Sequence, residues 1–149
     1  MPEKETLKRA AEDKREGKSP STQAGEFVHE EIEHIREGKH GARSTKQAIA
    51  IGLSKARRAG VDLPPPKPGT TSEATRKQAL RETKRAKSEA RSTAKSTKRS
   101  RAVSSALKRE SRSVASKTAL SRQATGAAKR RSAAARSSSA KKAAATRKK

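Results

Sequence analysis

Large apolar side chains are too scarce in this sequence to close a core of the size its length would allow. Only sixteen of the 149 residues are large aliphatic or aromatic, and eleven of them, from Met1 to Leu63, precede residue 64. The same chain has 39 Lys plus Arg against 15 Asp plus Glu, a formal charge of +24. Few apolar residues with high net charge is the composition of a chain that stays largely disordered, because it cannot bury enough surface to offset its conformational entropy. One small core, confined to the first 63 residues, is therefore expected, and the remainder must live on charge. The absence of cysteine removes disulfides, thiol nucleophiles and thiolate metal sites together. No leader-like apolar stretch opens the sequence and no run approaches a membrane span, so a cytoplasmic protein without a membrane partner is expected.

The charge is not spread evenly. Residues 1–70 hold 14 basic and 11 acidic groups, a net +3, whereas residues 71–149 hold 25 and 4, a net +21. Between them, Leu63-Pro64-Pro65-Pro66-Lys67-Pro68-Gly69 fixes φ and removes amide donors, as a stiff spacer does. The organisation read from this is a charged helix in residues 1–19, a helical hairpin in 20–62, a Pro-rich linker in 63–70, a basic tail in 71–128 and a low-complexity terminus in 129–149. The fold class is all-α: a small hairpin domain with a long, largely disordered basic tail of helical tendency.

Within the first part, residues 3–16 read as a short polar helix with Leu7, Ala10 and Ala11 on one side and Gly17 as its stop. A second helix is expected over residues 21–37, with Val28, Ile32 and Ile35 at i, i+4 and i+7, Phe27 beside them, and Gly38 as a left-handed terminator. Ser44 with Gln47 three residues on makes a capping box for a third, whose Ile49, Leu53 and Ala56 repeat the stripe as far as Gly60. A helix stop followed by a helix start occurs twice, as Arg15-Glu16-Gly17-Lys18 then Ser21-Thr22-Gln23-Ala24, and as Arg36-Glu37-Gly38-Lys39 then Ser44-Thr45-Lys46-Gln47-Ala48.

The stretch from Glu26 to Gly60, above all Lys46-Gln47-Ala48-Ile49-Ala50-Ile51-Gly52-Leu53-Ser54, resembles a family of small, basic, largely uncharacterised bacterial proteins that pair this core with a Lys/Arg/Ala/Ser-rich tail. The resemblance implies a bacterial source, and such proteins, where they carry a label, are labelled DNA-binding. The tail is also similar to those of linker histones and bacterial histone-like proteins, but it departs from linker-histone tails in having no proline after Pro68.

That departure permits helix. With Lys77 at zero and 100° per residue, Lys77, Arg81, Lys84, Arg85, Lys87, Arg91, Lys95, Lys98 and Arg99 fall in one arc of about 160°, with Glu82 and Glu89 opposite. As one continuous helix they would form a basic stripe of roughly 33 Å, close to a turn of duplex DNA. Folding would then follow charge neutralisation by the polyanion. Lys108, Arg109, Lys129, Arg130 and Arg131 extend the candidate contacts, and Arg43, Lys46, Lys55, Arg57 and Arg58 are candidate secondary phosphate contacts from the hairpin. Ala102, Val103, Ala106 and Leu107, then Val114, Ala115, Ala119 and Leu120, suggest a second helix pair with too small an apolar face to stand alone.

The function expected is phosphate binding without sequence preference, chiefly to duplex DNA. Ten tail charges meeting phosphates would give log K a slope against log salt of about −9. Base readout needs side chains held rigidly at base edges, and this tail offers flexible cations. A single aromatic residue, Phe27, gives no platform for stacking unpaired bases. Structured RNA, as for a ribosome-associated protein, is one alternative; an interaction adaptor built on residues 20–62, using Ile49, Ile51 and Leu53, is another. His29-Glu30-Glu31-Ile32-Glu33-His34 has the look of a zinc-protease helix, but its histidines lie five apart, about 140° around the helix. Neither a metal nor a cofactor is expected, and with no nucleophile or phosphate-cradling loop, neither is enzymatic activity.

Overall fold

The computed structural model describes residues 2–88 and 97–147. Among them are seven α-helices: α1 Lys4–Arg15, α2 Pro20–Arg36, α3 Thr45–Arg58, α4 Glu73–Lys87, α5 Thr97–Arg109, α6 Lys117–Lys129 and α7 Ala133–Arg147, with a short 3-10 turn at Ser113–Ala115 before α6 and no strand. The chain is all-α.

The first three helices form where stop and start residues dictate. Ser19 and Ser44 cap α2 and α3, accepting from the backbone N–H of Thr22 and Gln47 respectively, and Pro20 occupies the first helical position, where its missing N–H costs nothing. Gln47 turns back to accept from the Arg43 backbone N–H at 2.7 Å, closing the expected box one residue earlier than the Ser44 amide. Gly17, Gly38 and Gly60 all have positive φ. After each, the next backbone N–H reaches back over the last turn: Lys18 to Asp13, Lys39 to His34 and Val61 to Ala56. That 6→1 bond satisfies a carbonyl the helix leaves orphaned.

The faces that pack differ from those expected in two helices. On α1 the buried residues are Thr6, Ala10 and Asp13, while Leu7 remains 42% exposed and Ala11 is exposed. Polar bonds set this rotation: Glu30 on α2 accepts hydrogen bonds from Thr6 and from the Glu3 backbone N–H, and Arg9 pairs with Glu26 at 2.6 Å. On α3 the fully buried stripe is Ala48, Gly52 and Ala56, with Ile49 and Leu53 at its edges. Small residues face α2 because the two backbones approach closely; a Cβ at Gly52 would lie 2.7 Å from Val28 Cα and 3.0 Å from the Phe27 carbonyl oxygen. Gly52→Ala, though it improves helix propensity, is expected to lower stability by about 1–3 kcal/mol through this overpacking. Urea unfolding followed by far-UV circular dichroism measures it, and a gain in stability would contradict the close approach.

The expectation that any core stops at residue 63 is overturned. One cluster does belong to the first part: Ala10, Ala24, Phe27, Ala56 and Leu63, with Leu53, Ala59 and Val61 against it. Leu63 is thus a core residue rather than the start of a linker. A second cluster joins Ile32, Ile35, Ala42 and Ala48 to Ala115, with Val28, Val114 and Leu120 alongside. Packing α2 on α3 leaves the Ile32/Ile35 side uncovered, and the few apolar residues of the 3-10 turn and α6 cover it. The seam is sewn with backbone bonds. Gly41 N–H donates to Leu107 O at 2.9 Å and Ala42 N–H to Ser111 O at 3.1 Å. Thr45 Oγ1 donates to Val114 O at 2.8 Å and Arg36 Nε to Ala115 O at 3.0 Å. Gly41 is required there, because a Cβ would collide with the backbone carbonyl of Glu110.

After the prolines the chain also returns to the hairpin. α4 starts at N-cap Ser72, buries Ala79 and hands Glu82 to Ser54 Oγ of α3 at 2.5 Å. The described tail is therefore mostly helical, in α4, α5, α6 and α7, and two of its segments are packed, where the sequence led to an expectation of little structure. Repulsion among its cations is relieved by exposing them, while its rare apolar residues find the surfaces α2 and α3 leave open.

Candidate nucleic-acid interface

The side of α4 that meets α3 carries Ala79, Glu82 and Thr83, all at least partly buried. The opposite side is the cationic arc read from the sequence. Lys77, Arg81, Lys84, Arg85 and Lys87 are exposed. Lys87 lies 3.0 Å from Asp62 with both side chains well exposed, a pair worth little in water. Lys77, Arg81, Lys84 and Arg85 meet no partner among the described residues. The α3 contact thus turns the arc outward and holds it there.

The continuous stripe does not form. Ser88, at φ −85 and ψ 129, leaves the helical region and ends α4, so the described ladder is a 15-residue helix of about 22 Å. Three cations, Lys84, Arg85 and Lys87, crowd its last four positions, and a serine that bonds its own backbone is a natural place to stop; its Oγ donates to Arg85 O at 3.3 Å. Arg91, Lys95 and Glu89 lie outside the described residues, as do Lys148 and Lys149. Lys98 and Arg99 begin a separate helix, α5. Lys98, Arg99, Lys108 and Arg109 on α5, and Lys129, Arg130 and Arg131 at the end of α6, are all exposed. Arg109 donates to Ser105 Oγ at 3.1 Å, Arg131 donates to Ala135 O at 3.0 Å, and Arg99 also has a partner.

The secondary contacts proposed on the hairpin divide. Arg43, Lys46 and Arg58 are exposed, with Arg43 3.7 Å from Glu110 and Arg58 bonded to Ser54. Lys55 is taken by the interior: its Nζ lies 3.2 Å from Glu30 and 2.6 Å from Glu31, whose side chains are 2% and 1% exposed. Arg57 is buried, and burial pushes its guanidinium below the usual arginine value, opposed by the charge of Glu82. Neither reaches phosphate in this fold. Burial pushes Glu30 the other way, up, but hydrogen bonds from Thr6, the Glu3 amide and Lys55 outweigh it and leave its carboxyl below the ordinary range.

A shallow groove that sequence reasoning missed lies where the tail meets the hairpin, lined by Arg36, Arg112, Ser113, Ala115, Ser116 and Lys117. Ser116 caps α6, so three cations stand around the electropositive start of a helix. Ser116 followed by Lys117 and the apolar Ala119 and Leu120 was a readable helix start; Arg36 could be added only once the seam was known.

Acidic and basic groups are partnered very differently. Of the described carboxylates, all but one lie within 4.0 Å of a cationic or histidine nitrogen, and the exception, Glu82, accepts from Ser54 and Gln78. Beyond Glu110 the sequence has no acidic residue and twelve basic ones. Its only aromatic residue, Phe27, is buried.

Residues 21–67 match a family described as one of unknown function, DUF6496. No curated protein and no solved structure matches the chain.

Proposed function

We propose that this chain is a non-enzymatic, histone-like protein of the bacterial nucleoid that binds duplex DNA through its phosphates, without sequence preference, and compacts it. The observation that carries this reading is the segregation just described: the described carboxylates lie beside cations, histidines or hydroxyls within the fold, and the surplus cations of α4, α5 and α6 face water. Surplus fixed charge of one sign attracts a polyanion through counterion release. The α4 ladder supplies a positioned part and the remaining helices a more dispersed one. Long side chains on a helix back, with no aromatic residue exposed, favour backbone contacts over base readout or single-strand stacking.

The adaptor alternative draws less support. Leu53 packs against the first core cluster, and α3 meets α2, α4 and α6, so the apolar surface such a role needs is largely covered. The test is a salt titration of the whole chain against duplex DNA, single-stranded DNA and a structured RNA of equal length. Duplex affinity is expected to fall with log salt at roughly 0.9 per neutralised phosphate, and to vary little with base sequence. Tighter binding to structured RNA at equal salt would move the assignment to a ribosome-associated role; no binding to any of the three in dilute buffer would end it.

A further inference from the structure

The structure brings together three groups that the sequence keeps apart. Glu31 and His34 stand on α2, and His40 stands in the loop that follows it. One ligand atom from each lies within 4.8 Å of those of the other two. His29, the histidine whose spacing argued against a zinc helix, is exposed and outside this group.

We propose that Glu31, His34 and His40 form a binding site for a transition-metal dication of the zinc class. Each member already has the outer partner that a ligating side chain needs. His40 Nδ1 lies 3.0 Å from the Gly41 carbonyl; donating there fixes the tautomer and leaves Nε2 with its lone pair. That Nε2 faces Glu31 Oε1 at 3.2 Å, so two lone pairs oppose each other unless a cation comes between them. His34 Nε2 lies 2.9 Å from Glu3 Oε1, which leaves Nδ1 for a metal. Glu31 Oε2 has Lys55 Nζ at 2.6 Å, which leaves Oε1.

A second observation points the same way. Glu31 is 1% exposed, yet neither of its carboxylate oxygens accepts a hydrogen bond of acceptable geometry, despite the nearness of Lys55 and His40. A buried carboxylate in that condition is costly. The surrounding charge also suits a dication. Among the described residues, Glu3, Glu30, Glu31 and Glu37 face two ammonium groups, Lys39 and Lys55, so with neutral imidazoles these groups are net negative. Two nitrogens and one carboxylate oxygen select zinc and its neighbours over magnesium or calcium, which take oxygen sets. Metal–ligand bonds of about 2.0–2.2 Å require the three donors to draw closer together, which the His40 loop can supply by closing onto α2. Water would take the fourth position.

The test uses the full chain, stripped with chelator and titrated with zinc chloride, with cobalt chloride as a spectroscopic probe. One zinc per chain is expected, with the intense visible bands of tetrahedral cobalt. His34→Asn and His40→Asn should each weaken zinc at least 100-fold. Glu3→Gln, at the exposed end of α1 and an outer partner only, should weaken it 10–100-fold, and His29→Asn should leave it unchanged. Absence of zinc binding at several hundred micromolar, or an octahedral cobalt spectrum, overturns the proposal. So does wild-type affinity in either histidine variant shown to be folded by circular dichroism; should both unfold, wild-type affinity in Glu3→Gln does the same.

Discussion

Replacing Lys77, Arg81, Lys84 and Arg85 together by Gln will flatten the salt dependence of duplex binding by about 3.6 units of slope, four contacts at about 0.9 each. If the two proteins converge near 1 M salt, the variant binds on the order of 10³-fold more weakly at 0.1 M. The helix itself should survive, because these four side chains are exposed and Gln is close to Lys and Arg in helix propensity. The experiment is fluorescence anisotropy over a salt series, with circular dichroism to confirm that helicity is kept. Neutralisation is a cleaner probe than deleting the tail, since truncation would also remove Val114, Ala115 and Leu120 from the second core cluster. An unchanged slope would show that α4 makes no phosphate contact and that the working cations lie elsewhere.

Lys55→Ala is expected to be the most damaging single substitution on α3, costing about 3–5 kcal/mol, because it strands two buried carboxylates without their cation. Glu30 and Glu31 are nearly inaccessible, and Lys55 reaches both. Lys46→Ala on the same helix, at an exposed position, should change stability by less than about 0.5 kcal/mol. Urea unfolding of the two variants side by side gives the comparison. A loss below 1 kcal/mol for Lys55→Ala would mean that the carboxylates are rehydrated or protonated at little cost. The pair also separates two roles for a lysine: Lys55 supports the fold, whereas Lys46 is free to meet a phosphate.

The parts of this fold that short-range chemistry decides were readable from the sequence. Ser44 with Gln47, and the glycines at 17, 38 and 60, mark the ends of helices within a residue or two, because caps depend on neighbours only. The outward arc of α4 was readable for the same reason, since Lys77, Arg81, Lys84 and Arg85 share a face by periodicity alone. What failed depends on partners far along the chain. Val114, Ala115 and Leu120 are too few to announce a core, and only the uncovered Ile32 and Ile35 give them something to cover. Ala56 was placed on the stripe, but Ala48 and Gly52 were overlooked beside Ile49 and Leu53 because hydrophobic patterning favours large residues, while a close helix crossing needs small ones. Lys55 was read as a candidate phosphate contact and Glu30 and Glu31 only as members of a rejected zinc-helix pattern; nothing local reveals that the lysine of α3 meets both carboxylates of α2 in the interior. The grouping of Glu31 with His40 depends on how the loop after Gly38 folds back, which spacing does not encode.

The bonds between the hairpin loop and the distant 3-10 turn carry a kinetic consequence. Thr45 meets Val114 across 69 positions and Arg36 meets Ala115 across 79, so each contact closes a long loop before it repays anything. The short-range α2–α3 pairing can assemble as soon as residue 58 has been made. The second cluster must wait until roughly twice that length has emerged, which makes it later to assemble than the hairpin it covers.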